Sequence, residues 1–147
     1  MHVAVTAHPA AAWVWRQLIE ATPWGRQPDY LVRDRDSVYG GDFVGRARGL
    51  GVETLLTPVR APRTNAVAER VVRTLRNECL DHVIVVSEAH LRAVLGEFAA
   101  YSNADRPRRR LHFEPPLGLR RAAPVAAGRI RVRPVLGGLH HVYERVA

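Results

Sequence analysis

Lysine is absent. All 22 basic residues are arginines, set against 14 aspartates and glutamates, for a net charge of +8 and a pI near 11.1. The guanidinium fork grips phosphate bidentately, so an arginine-only basic surplus suits a polyanionic partner. Coding bias explains arginine in place of lysine, and the abundance of alanine agrees with it, but it does not explain the surplus of base over acid. Nucleic acid is the favoured partner class. Cysteine occurs once, at Cys79, which excludes an intramolecular disulfide and a cysteine-only metal cage. Within "RTLRNECLDHV" it reads as a buried, inert thiol, and a reducing cytoplasm is the expected setting. No apolar run approaches the roughly 18 residues of a membrane span. The start, "MHVAVTAHPAAAWVW", has no basic region followed by a clean apolar stretch, so neither a membrane anchor nor a signal peptide is expected. The seven histidines lack ligand spacing. His140 and His141 are adjacent, and neighbours in a strand point to opposite faces.

The 147 residues are 47% hydrophobic and 24% charged, the balance of a soluble domain with a real core. "HVAVT" (2–6) reads as a strand and "PAAAWVWRQLIEA" (9–21) as a helix opened by Pro9. Trp13 and Trp15 are assigned to packing. "DYLVRD" (29–34) reads as a buried strand ending in charge, "DFVGRARGLG" as a short helix, and "VETLLT" (52–57) as another strand. A long helix is expected from Asn65 to about Val83, and a second after Ser87, a good N-cap. "RPRRRLHFEPPLGLRRAAP" is an irregular connection, and the last twenty residues permit two short strands across "GG". Strands alternating with helices indicate an α/β fold.

Two stretches carry candidate chemistry. In "LVRDRDSVYG", Asp34 ends an apolar strand, where side chains of open α/β sheets enter a crevice. In "APRTNAVAER", Glu69 lies near the start of the long helix. Ala68, Val71, Val72, Leu75 and Cys79 form the apolar stripe of that helix, and Glu69, Arg73 and Arg76 share the opposite edge. A carboxylate flanked by arginines suits a divalent cation beside phosphate. The plainer readings stay open: Glu69–Arg73 as an ordinary i, i+4 pair, and Asp34 with Asp36 as turn caps. "RPRRRLHF" suits DNA-backbone contact or a solvated connector. It lacks the interleaved aromatics of a single-strand platform, so binding there should be salt-sensitive and sequence-blind.

From about His2 to Pro116 the chain resembles the catalytic core of DDE integrases and transposases, nearest to those of bacterial insertion sequences. Three ordered stretches carry the resemblance: "LVRDRDSVYG", "TPVRAPRTNAVAERVVRTLRNE", and "YSNADRPRRRLHFEPP", where Arg108 stands at a position the family often fills with His. It implies a ribonuclease-H-like α/β fold, a mixed sheet flanked by helices, over residues 1–116, with 117–147 as a C-terminal extension. It places Asp34 at the second catalytic carboxylate and Glu69 at the third, 35 positions on. Asp36 falls where the family usually has glycine. Asn65, Arg70, Arg73, Arg76, Arg108, Arg109 and Arg110 become DNA contacts. The family's three carboxylates hold two Mg²⁺ or Mn²⁺ ions for phosphodiester cleavage and strand transfer. Its first aspartate lies on a strand one hairpin before the one "HVAVT" resembles, whereas the first acidic residue here is Glu20. The first strand is therefore expected to be missing, and this chain alone to be inactive or nearly so in strand transfer. The expected partners are double-stranded DNA and either a second copy or a full-length transposase, with no membrane. The alternative is a non-catalytic nucleic-acid-binding remnant or regulator, and a third reading is a basic α/β protein of unrelated function.

Overall fold

The computed structural model describes residues 1–22, 25, 27–58, 66–118 and 128–146. The chain divides into two compact units, Thr6–Thr74 and a second made of Met1–Val5 with Leu75–Ala147.

The Thr6–Thr74 unit begins with α1 (Ala11–Ala21), which stops where the Thr22 hydroxyl donates to the Leu18 carbonyl at 2.6 Å. Then come β1 (Tyr30–Arg33), a 3₁₀ turn (Ser37–Tyr39), α2 (Phe43–Gly49) and β2 (Glu53–Leu56). The two strands are parallel, with Leu31 opposite Thr54 and Val32 opposite Leu55. Parallel neighbours need a crossover, and α2 provides it. Gly51 makes the return possible: at φ 78° it adopts the left-handed conformation that closes a helix, and Val52 N–H donates back to the Ala47 carbonyl at 3.0 Å. The core holds Leu18, Phe43, Ala47 and Val52, ringed by Val14, Trp15, Leu31, Tyr39 and Leu50. Trp15 and Tyr39 both meet Phe43 edge-on, with centroids 6.3 and 5.0 Å away.

The second unit is built on α4 (Glu88–Ala104), whose inner face buries Val94, Leu95, Phe98 and Ala99. Cys79, Val94 and Phe98 form its core with Met1, Leu75, Leu80, Val83, Tyr101 and Leu136 around them. Ser87 caps α4 as expected, its hydroxyl accepting the His90 N–H at 3.0 Å. Replacing Ser87 by alanine should destabilise this unit by about 1 kcal/mol. Urea titration followed by circular dichroism checks it, with Ser87→Asp near wild type.

The "GG" segment closes a hairpin as the sequence permits: β3 (Arg129–Val135) pairs antiparallel with β4 (His140–Val146), and Gly137 and Gly138 take φ of 64° and 102° at the turn. Side chains fasten it to the helices. The Glu97 carboxylate accepts the Leu136 N–H at 2.7 Å, and the His140 ring stacks on Tyr101 with centroids 5.0 Å apart. Val135 and Val142 are buried beneath.

Four expectations change. Strand β1, expected to be buried, alternates exposed and half-buried residues. "HVAVT" forms no strand. Side chains tie the stretch and the residue before it instead: Asn103 accepts from the Met1 amino group at 2.6 Å and donates to the Met1 carbonyl at 2.7 Å, while Arg92 reaches the Val5 carbonyl at 3.4 Å. The described strands accordingly form two separate two-stranded sheets, one parallel and one antiparallel, in place of one mixed sheet. The long helix, α3 (Ala66–Glu78), ends before Val83 because Cys79 leaves the helical region at φ −139°, and a 3₁₀ turn over Leu80–His82 follows. Of its apolar stripe only Cys79 is buried. Val71 and Leu75 are half-buried, and Ala68 and Val72 are exposed. Among the described residues no helix is long and apolar enough to cross a membrane.

Candidate functional site

Asp34 emerges at the C-terminal end of β1, the edge of a parallel pair where open α/β sheets place their chemistry. Its surroundings explain its position. One carboxylate oxygen accepts the Asp36 N–H at 3.2 Å, and Asp36 in turn accepts the Val38 N–H at 2.9 Å, starting the 3₁₀ turn. The Asx-turn reading thus holds for both residues, and for Asp34 it leaves the second oxygen outside this turn bond. The turn is seated on α1: Gly40 has φ 70°, and a Cβ there would lie 2.9 Å from the Ala11 Cβ. Arg33 braces the strand end. Its guanidinium carbon lies 4.9 Å from the Tyr39 ring centroid and 5.7 Å from that of Phe43, and it donates to the Asp34 carbonyl at 3.1 Å. Burial, and then the negative charge of Asp34, raise the Tyr39 pKa above its ordinary value. Arg33 and Tyr39 were not singled out as site residues in the sequence. The aromatic following the two aspartates was the available signal, and an arginine inside a short strand gave none.

Glu69 lies in the first turn of α3, exposed, at the end where the helix dipole favours a carboxylate. Among the described residues it forms no ion pair with Arg73. Arg70, Arg73 and Arg76 are all exposed on the same helix. Asn65 and the loop before it lie outside the described residues.

The arginines of "RPRRR" divide by role. Arg108 donates to the hydroxyl of Ser102 at 2.7 Å, and that serine is fully buried. Burial, then the charge of Arg106, push the Arg108 pKa down. Arg106 pairs with Glu78. Arg109 and Arg110, in a 3₁₀ turn, are exposed. The chain then doubles back, with Phe113 N–H donating to the Arg108 carbonyl at 2.9 Å. Arg108 is therefore partly committed to the fold, and Arg109 and Arg110 are the outward pair.

Asp34 and Glu69 both belong to the Thr6–Thr74 unit. Among the described residues no group of three or more His, Cys, Asp or Glu side chains is arranged to hold a metal. Carboxylate oxygen suits a hard cation, and Mg²⁺ commonly takes one or two carboxylates and keeps several waters. Asp34 at the end of β1 and Glu69 on α3 are carboxylates of that kind.

Comparison with known families finds a match to the integrase core domain over residues 50–116. This is a little under half of the chain. The span takes in β2, all of α3 with Glu69, α4, and Arg108–Arg110, and Asp34 precedes it. No curated protein and no solved structure matches the chain. Over residues 50–116, which carry Glu69 and the exposed arginines of α3, this mixed α/β chain is similar to the integrase core domain.

Proposed function

We propose that this chain acts in DNA integration or transposition, as part of a ribonuclease-H-like core of the DDE class that holds duplex DNA and takes part in metal-dependent phosphodiester cleavage and strand transfer. The observation that supports it most is the integrase core match over residues 50–116, coincident with a helix that displays Glu69 beside Arg70, Arg73 and Arg76. On this reading residues 1–116 supply the core segment and residues 117–147 an extension. A second copy or a full-length transposase is the protein partner.

Each residue has a physical task. Arg70, Arg73 and Arg76 hold phosphates along one groove edge, since a guanidinium binds phosphate through paired hydrogen bonds. Asn65, next to the start of α3, and the outward Arg109 and Arg110 add contacts, with Arg108 backing that pair from its bond to Ser102. None of these contacts reads sequence, because phosphate bonds fix register alone. Asp34 and Glu69 are the carboxylates assigned to Mg²⁺ or Mn²⁺, and Arg33 and Tyr39 hold the Asp34 turn in place. When bound, the cation would activate a water or a 3′-hydroxyl and stabilise charge at the reacting phosphate.

Fluorescence anisotropy with a labelled duplex tests the DNA-holding part. The Arg70→Ala, Arg73→Ala, Arg76→Ala triple variant should bind clearly more weakly on duplexes of unrelated sequence. Equal affinity of wild type and variant would remove α3 from the interface.

A further inference from the structure

The positive charge is unevenly placed. Residues 117–147 contain six arginines against a single carboxylate, Glu144, and so hold five of the chain's eight net positive charges. The described part of that segment is the β3–β4 hairpin, and its two faces differ. One face, set by the pairs Val135↔His140, Arg133↔Val142 and Arg131↔Glu144, is turned to the protein. Val135 and Val142 are buried there, Arg131 pairs with Glu144 at 2.8 Å, and Arg133 reaches Asp105 at 2.7 Å.

The opposite face follows from the pairs Ile130↔Arg145, Val132↔Tyr143 and Pro134↔His141, because directly opposed residues share a side of the sheet. All six of these residues are exposed. Tyr143 is 60% exposed, and its ring centroid stands 6.2 Å from that of His141 at an interplanar angle of 35°. Two exposed rings, an apolar strand beside them, Arg145 at the open end of this face and exposed Arg129 next to it make up the chemistry of a stacking platform. Bases stack on such rings whatever their identity, and the guanidinium groups meet the backbone. The Arg108–Arg110 turn has no ring interleaved among its arginines, with exposed His112 and Phe113 only after it, and is assigned to duplex phosphates.

We infer that the outward face of the β3–β4 hairpin binds single-stranded nucleic acid, with bases stacked on Tyr143 and His141 and phosphates met at the open end by Arg145 on this face and the neighbouring Arg129. A second copy of the chain fits this face less well, since it would bring two strongly basic segments together. The inference stands apart from the integrase reading: every residue of the proposed face lies outside the matched span 50–116.

Anisotropy with a labelled oligothymidylate of about 20 nucleotides, and with a duplex of equal length, tests it on the full chain. Tyr143→Ala should weaken single-strand binding roughly tenfold, leave duplex binding unchanged, and be restored by Tyr143→Phe. The Arg109→Ala, Arg110→Ala variant should do the reverse. Circular dichroism on each variant establishes that the fold is kept. Unchanged oligothymidylate binding by folded Tyr143→Ala overturns the inference, as does an equal loss on both ligands. A dimer seen in sedimentation and abolished by Tyr143→Ala would assign the face to a second copy instead.

Discussion

Replacing Phe98 by alanine should cost about 3–5 kcal/mol of stability, a large share of the roughly 5–15 kcal/mol that holds a domain together. Phe98 is fully buried and shares its core with Cys79 and Val94. Its ring also faces Tyr101 at 6.3 Å and His140 at 5.7 Å, so it links α4 to the hairpin strand that lies over it. Truncation removes the burial of the ring and leaves a cavity that helices pinned by Ser102–Arg108 and Glu97–Leu136 bonds cannot close. Urea unfolding measures it. Tyr143→Ala, an equally aromatic loss on the same hairpin but at an exposed position, should fall within about 1 kcal/mol of wild type. Similar costs for the two would mean that the core is not where Phe98 places it.

Duplex DNA affinity should fall steeply with salt, and α3 should account for a defined part of the slope. Each phosphate neutralised on duplex DNA contributes about −0.9 to the slope of log affinity against log salt. Three arginines on α3, all exposed, should therefore supply a slope of roughly −2.7, or about a fortyfold loss between 50 and 200 mM salt. In the triple alanine variant the curve should flatten by that amount while its dependence on DNA sequence stays as weak as before. A steep slope that the variant keeps would place the duplex on other arginines. The absence of any salt dependence would remove phosphate contact from the account.

Local rules were readable where one short stretch decides the outcome. Ser87 announces α4 by its capping chemistry, and the glycine pair at 137–138 announces the hairpin by its freedom at positive φ. Strands β1 and β2 showed as apolar runs ending in charge or proline. What failed depended on partners distant in sequence. "HVAVT" has the β-branched composition of a strand, yet the contacts that hold it come from far along the chain, Asn103 at the preceding Met1 and Arg92 at the Val5 carbonyl. The stripe on α3 has helical spacing, but periodicity alone does not say how much of a face is covered, and only the end around Cys79 is. At the candidate site, Asp34 and Glu69 stood out by residue type and order. The brace of Arg33 over Tyr39 and Phe43 did not, because a cation–π contact leaves no spacing signature. The arginines of "RPRRR" looked alike in sequence. Burial of Ser102 divides them, drawing Arg108 inward and leaving Arg109 and Arg110 outside.

The most direct measurement of the central claim is a Mn²⁺ titration by calorimetry on the whole chain, on Asp34→Asn and on Glu69→Gln. The proposed function predicts one specific site in the wild type, lost in either variant, because a water-rich ion held by two carboxylates cannot keep its place with one. Identical weak heats for all three proteins would contradict it. Asp34 would then be a turn residue, Glu69 a helix-start carboxylate, and the chain a basic nucleic-acid binder without a metal centre.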